Sequence, residues 1–326
     1  MLRPVRRALA AFVLLGMAAP AALAQTFPSR TLSIVVPFAA GGPTDTVSRL
    51  VAEAMARDLG QNVVVENVGG AGGTLGSNRV AMARPDGHTL LLHHIGMATT
   101  PTLYRRLPYD PVAAFEPLGL ITDVPMSLIA RPNFPANTLA EVVAVIRQRR
   151  DELNYANAGI GAASHLCGLL LMSRVDAPMT TVPFRGTGPA MQELLAGRVD
   201  LMCDQTTNTS EQIRGNAVRA YAVTTPARLP SLPEVPTSAE GGLAGFEVSV
   251  WHGLYAPRGT PAPVIARLSQ SLQTALRDER LIARFADLGT APVAQDQVTP
   301  AAHRAFWMAD IAKWRPLIQA AGQYAD

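Results

Sequence analysis

Ile34-Val-Val-Pro-Phe-Ala-Ala-Gly-Gly-Pro-Thr-Asp45 is the stretch whose reading decides the fold. Its β-branched apolar start reads as a buried strand, Gly-Gly-Pro forces a turn, and Thr44 or Asp45 can cap a helix beginning near Thr46. A strand that hands its loop to a helix N-terminus makes an anion site. The first N–H groups of the helix lack intrahelical partners, the macrodipole is positive there, and Gly41 and Gly42 carry no side chain to hold a small anion away. The expected occupant is a carboxylate.

The same device recurs downstream. Val63–Asn67 reads as a second strand running into the glycine loop 69–76 and a helix from about Ser77 to Ala83, and His88–His94 as a third strand. This β-α-β-α-β order predicts a parallel sheet with loops for a ligand at the carboxyl ends of its strands. The segment 101–117 is Pro-rich and reads as irregular, and 118–121 and 126–130 as two strands on either side of Asp123-Val-Pro125, where the chain passes between lobes. Thr138 caps a helix over 139–150. Then Leu153–Asn157, the glycine loop 158–165 and a helix over 166–174 repeat the opening unit, as do 181–184, Arg185-Gly-Thr-Gly-Pro189 and a helix over 190–196. Strands follow at 199–203 and 217–225, a long one at 246–256 holds the return crossing, and three helices complete the chain.

The fold class expected is therefore α/β with two lobes, each a mostly parallel sheet flanked by helices, joined by two crossing segments. Residues 25–124 and 251–326 would form the first lobe and 125–250 the second. Two lobes also suit roughly 300 residues, which exceed one ordinary core.

Arg3, Arg6 and Arg7, the apolar run 8–19 and Ala22-Leu-Ala24 have the layout of a secretory signal peptide over residues 1–24, too short to span a bilayer at roughly 20 residues. Removing its three Arg from the 28 basic residues leaves 25, against 25 acidic ones. A neutral chain without a basic stripe gives nucleic acid no electrostatic footprint. Cys167 and Cys203 both have apolar neighbours and are expected as two buried thiols, with a disulfide as the alternative open to an exported protein.

Several chemistries lack their residues. A P-loop needs Gly-Lys before Ser or Thr, and Lys313 is the only lysine. No Gly-x-Ser-x-Gly elbow or His-Glu-x-x-His pair occurs. Gly159-Ile-Gly161-Ala-Ala-Ser164 falls one glycine short of a dinucleotide fingerprint. His93 and His94, as strand neighbours, should point to opposite faces, with His94 at the strand end better placed to line a cleft. Ser164 and His165 sit together at a helix start, a poor nucleophile and base but natural donors to a carboxylate. Neither a cofactor nor a metal is expected, and no catalysis.

The motifs PFAAGGPTD (Pro37–Asp45), GGAGG, LPYDP (Leu107–Pro111), LNYANAGIGAASH (Leu153–His165), VPFRGTGPA (Val182–Ala190), DLMCD (Asp200–Asp204) and WHGLYAPRGTP (Trp251–Pro261) together resemble the Bug family. These are the extracytoplasmic solute receptors of tripartite tricarboxylate transporters, similar in order along essentially the whole chain after the leader. The resemblance implies a two-lobe periplasmic binding protein that holds a small organic carboxylate or dicarboxylate and delivers it, as a monomer, to membrane permease subunits. It places the grip on Ala39, Gly41, Gly42, Thr44 and Asp45, then on Gly159, Gly161, Ala163, Ser164 and His165, with Arg185, Gly186, Thr187 and Asp204 completing the rim. Asp45 beside an anion must cap its helix or meet an ammonium group. Two other readings stand beside this one: a sensing module for a membrane signalling system, and a secreted hydrolase or lyase on the same frame.

Overall fold

The computed structural model describes residues 27–322, 324 and 325, so the proposed leader lies outside the described residues. The first strand, β1 (Leu32–Val36), leads through the opening glycine turn into α1 (Pro43–Leu59), and β2 (Val63–Asn67) follows. Gly60, in the left-handed region at φ 64°, ends α1 and its N–H closes on Ala56 O. Next come α2 (Thr74–Ala81), β3 (Thr89–His94), α3 (Gly96–Leu103) and the long β4 (Phe115–Ala130). The second half runs α4 (Leu139–Arg149), β5 (Asn154–Asn157), α5 (Ala163–Val175), β6 (Thr180–Pro183), α6 (Thr187–Leu195), β7 (Leu201–Gln205), α7 (Thr206–Arg214) and β8 (Arg219–Val223). The chain returns along β9 (Ser249–Pro257) and finishes with α8 (Ala262–Ala275), α9 (Glu279–Asp287) and α10 (Pro300–Ala321).

The strands run β2-β1-β3-β9-β4-β7-β5-β6, with β8 also paired to β4. β1 pairs with β2 and β3, and β5 with β6 and β7, all in parallel. Every pairing of β4 and β9 is antiparallel. The sheets are thus mixed, where β-α-β order alone had suggested mostly parallel ones. The difference arises because the two connecting strands thread the middle of the sheet and run against their neighbours.

β4 is also one strand where two were expected. It pairs with β9 from Phe115 to Pro125 and with β7 and β8 from Met126 to Ala130. Both prolines fall where the ladder changes: Pro117 at a register shift, Pro125 at the last pair before the partner switches. A residue without an N–H is tolerated at such irregularities. Val47, Val51 and Met55 of α1 lie with Leu268 and Leu272 of α8 in one apolar cluster, while Trp307 and Ile311 of α10 belong to a larger one that runs on into the second half through Leu128, Val142 and Tyr155. The Trp307 indole N–H donates to Met97 O at 2.9 Å, which fixes α10 against α3. That α3 lies partly within the segment expected to be irregular; its Pro101 is an interior helix residue that the sequence pattern does not favour.

Cys167 and Cys203 form a disulfide, not two thiols. α5 packs on β7 with the two Cα atoms 6.1 Å apart, inside the usual bridging range. Among the described residues, no helix is long and apolar enough to cross a membrane.

Candidate functional site

A narrow cavity lies between the lobes, and four helix starts converge on it: Gly42 to Thr44 of α1, Ala162 to Ser164 of α5, Thr187 of α6 and Gln205 ahead of α7. None of these four helices has a side-chain N-cap. Elsewhere α4, α9 and α10 are capped by Thr138, Asp278 and Thr299, while α2, α3 and α8 are also without a side-chain cap. The alanine N-cap of α5 forgoes about 0.5–2 kcal/mol relative to Ser, Thr, Asp or Asn, and the glycine N-caps of α1 and α6 only a few tenths. Four open N-termini around one space leave first-turn N–H groups and positive dipole ends directed at it. No Lys or Arg lines that space. An anion there is held by backbone polarity and hydroxyls.

Local sequence explains why α1 is open. It begins at Pro43 with Gly42 at its N-cap, earlier than the expected start near Thr46. Proline suits the first helical position, and glycine has no cap to offer. Asp45 therefore sits inside the first turn instead of capping it. Its carboxylate bends back to accept from Gly41 N–H at 3.0 Å, Asn67 Nδ2 at 3.0 Å and Arg49 Nε at 3.0 Å. Burial raises the Asp45 pKa, but the bonds from Arg49, Gly41 and Asn67 outweigh it and hold the carboxyl below the usual range. Asp45 is a brace for the glycine turn and does not line the cavity.

The second-lobe loop divides in the same way. Ser164 lines the cavity; its hydroxyl oxygen accepts from Ala158 N–H at 2.9 Å, which leaves the hydroxyl proton to donate. Gly159 N–H donates to Asn157 Oδ1 at 2.8 Å and Gly161 N–H to His165 Nδ1 at 3.3 Å. Burial lowers His165 to about 4, so the ring is the neutral acceptor this bond requires. Behind the loop, Tyr155 donates its hydroxyl to Ser164 O at 2.7 Å and accepts from Cys203 N–H at 3.2 Å. Together with the disulfide, this ties the start of α5 to the end of β7.

Of the expected residues, Gly42, Thr44, His94, Ala163, Ser164, Thr187 and Asp204 line the cavity. Ala39, Gly41, Asp45, Gly159, Gly161, His165, Arg185 and Gly186 lie behind or beside it. Two of these join the lobes directly: Ala39 N–H donates to Arg185 O at 2.9 Å, while the Arg185 side chain is exposed. Phe38, Pro43, Ala158, Ala162 and Gln205 also line the cavity without having been anticipated. Phe38 stacks on His94 with ring centroids 4.7 Å apart and also meets His93 edge-on at 5.4 Å. The two histidine rings do not diverge to opposite faces as strand alternation predicts, because the chain turns at the strand end into α3. His94 Nδ1 accepts from Gly96 N–H at 3.0 Å, which assigns its proton to Nε2. Burial, then His93 and His252, press its pKa well below the ordinary value, so it is a neutral donor.

Asp204 is the one acid of the wall. Burial pushes its carboxyl up to about 6, opposed by donors from Asn208, the Gln205 N–H and Thr187. Among the described residues, no group of three or more His, Cys, Asp or Glu could hold a metal ion.

Further contacts close the lobes on each other. Tyr104 donates to Ile160 O at 3.0 Å and Thr99 to Gly161 O at 3.2 Å. The glycines of the 69–73 loop permit this approach: a Cβ on Gly72, at φ +60°, would collide with Ile160 O and the Tyr104 hydroxyl. That loop joins the lobes and does not face the cavity.

Two α/β lobes shut on a small cavity of open helix ends are the build of a periplasmic solute-binding protein. Residues 47–323 match the model of the tripartite tricarboxylate transporter family receptor, TctC, and the chain belongs to that family. It is 52% identical over 299 residues to a UPF0065 protein from the TAR-I ttuE–ttuC′ intergenic region of Agrobacterium vitis, covering 92% of this chain and 86% of that one. Its structure is similar to that of the periplasmic binding protein BugD, with TM-score 0.89 and 48% identity over 92% of this chain and 100% of that one. It also resembles MatC from Rhodopseudomonas palustris with bound malate, with TM-score 0.86 and 43% identity over 90% of this chain and 100% of that one.

Proposed function

We propose that this protein is the periplasmic receptor that captures a small organic carboxylate or dicarboxylate between its lobes and delivers it to the permease of a tripartite tricarboxylate transporter. The single observation that carries the ligand class is the set of four uncapped helix starts around one cavity without a cationic side chain. Such a wall suits a carboxylate, whose charge the first-turn N–H groups and the Ser164 and His94 donors meet directly. The malate in the related MatC is an acid of this kind.

Residues 25–124 and 251–326 act as one lobe and 125–250 as the other, closing about the point where β4 changes partners near Pro125. The first 24 residues act as a cleaved export signal, and the mature chain works as a monomer without cofactor or catalysis. Among the described residues no hydrogen-bonded nucleophile and base pair lines the cavity: Ser164 accepts from a backbone amide, and the Nδ1 acceptors of His94 and His165 are taken by the Gly96 and Gly161 N–H groups. A thermal-shift screen of the mature protein against mono-, di- and tricarboxylates tests this reading. At least one acid should raise the melting temperature by several degrees and be recovered unchanged after overnight incubation. No shift with any acid, or conversion of the bound acid, would refute it.

A further inference from the structure

The cavity suits an anion, yet its wall already carries an acid. Asp204, at the end of β7, is 1% exposed and lines the same narrow space as Ser164 and His94. Its carboxyl accepts from Asn208 Nδ2 at 2.6 Å, from the Gln205 N–H and from the Thr187 hydroxyl, all neutral donors. No Lys or Arg lines the space. The titratable groups packed around Asp204 are uncharged as well. On β5, burial keeps the Tyr155 hydroxyl protonated, and on α5 His165 is neutral and accepts from Gly161 N–H. β4 pairs Ser127 with Asp204, and across the cavity stand Thr44 and the neutral His94. Burial, opposed only by the three donors, leaves the carboxyl at about 6, so before an acid enters it is mostly ionised at pH 7.

A carboxylate that enters so narrow a space comes to lie beside that charge. Two carboxylates sharing one buried site, with no cation between them, do not both stay ionised, and one takes up a proton. The ligand carboxylate is met by Ser164, His94 and the open helix starts, which favour its charged form. The proton therefore falls to the wall. We infer that the receptor binds its acid together with one proton, which settles on Asp204. This rests on the carboxylate reading of the cavity and concerns what enters with the acid, not which acid enters. On protonation the Asp204 carboxyl gains an O–H donor, so a repelling group becomes a donating one. Acid and proton then support each other, each raising the affinity for the other by the same factor. Affinity is highest near pH 6 and falls as pH rises toward the higher pKa that Asp204 has in the complex.

Titration calorimetry on the mature protein with succinate, malate, glutarate and adipate, all ionised from pH 7 upward, tests it. Heats measured at pH 7 in PIPES and in imidazole, buffers of different ionisation enthalpy, give the protons taken up per acid bound. For the tightest of these acids the count should lie between about half a proton and one, and affinity should fall about threefold or more from pH 7 to pH 8.5. Asp204→Asn keeps the neutral shape and should abolish both the uptake and the pH dependence. The wild-type proton count stands whether or not that variant folds. Uptake of less than half a proton, or uptake that survives in a folded Asp204→Asn protein, overturns the inference and leaves the carboxylate reading standing. So does binding confined to aspartate or glutamate, titrated in parallel, because their ammonium group neutralises Asp204 without a proton. Failure of every acid to bind overturns the carboxylate reading itself.

Discussion

At the scale of single residues, donors in this cavity matter according to where their protons are free to go. Ser164 accepts from Ala158 N–H and so has one proton left for a ligand oxygen. Ser164→Ala should cost about 1.5–3 kcal/mol of binding, the range for a hydrogen bond to a charged acceptor, or roughly ten- to a hundredfold in affinity by calorimetry. An unchanged dissociation constant would remove Ser164 from the grip. Buried histidines make a separate statement about pH. Burial lowers His93, His252 and His303 to about 3 and His165 to about 4, below the ordinary 6.5 of a free imidazole. The unfolded chain therefore binds protons that the folded one refuses. The stability these neutral rings contribute is complete above pH 6.5 and is lost as pH falls from there toward 3 to 4. One unit below 6.5, each ring contributes a loss of about 1.4 kcal/mol. Asp204, raised to about 6, and Asp123 and Asp310, which burial also raises, act in the opposite sense. The melting temperature should fall from pH 7 to pH 5; a flat or rising profile would contradict these protonation states.

At the scale of elements, the tie between α5 and β7 sets the distance between Ser164 and Asp204. Cys167 and Cys203 are three residues and one residue away from them, and Tyr155 bridges the same pair of elements. Replacing both cysteines by serine should lower stability by about 2–4 kcal/mol in urea unfolding and weaken acid binding as well. Full affinity in the destabilised variant would show that the tie serves folding alone. Gly72→Ala tests closure. Its Cβ would strike Ile160 O across the interface, so affinity should drop at least tenfold, while far-UV circular dichroism stays unchanged. Wild-type affinity would mean that the 69–73 loop does not join the lobes on binding.

Much of the frame was legible at this scale because its units announce themselves. β2 and α10 match their expected bounds, Thr138 caps α4 as read, and the two glycine loops of the grip lie at helix starts. The failures have physical causes. Thr206-Thr-Asn-Thr-Ser-Glu-Gln-Ile-Arg214 is too polar to show a helical stripe, so α7 and the cavity residue Gln205 ahead of it went unseen. Pro125 suggested a break in β4, although a proline at a change of partners breaks nothing. Gly41, Gly159 and Gly161 were expected to grip the ligand, yet side chains of Asp45, Asn157 and His165 take their N–H groups. A glycine-rich loop shows in sequence; which of its amides stay free is decided by side chains that reach back to it.

At the scale of the whole molecule, the lobes are shut by contacts between backbone groups and hydroxyls. Ala39 with Arg185, Tyr104 with Ile160 and Thr99 with Gly161 bind loop to loop. Such hydrogen bonds are each worth about 0.5–1.5 kcal/mol, and Val36 and Phe38 pack with Ala158 and Ala162 beside them. A ligand that touches both walls shifts that balance by its differential contacts alone. Small-angle scattering should show a smaller radius of gyration on adding ligand, and equal radii with and without it would argue against hinged closure. The central claim, that four open helix starts bind a negative charge, is tested most directly by titrating the mature protein with its best organic acid and with the neutral amide of that acid. The acid should bind at least a hundredfold more tightly than the amide; equal affinities would contradict the claim.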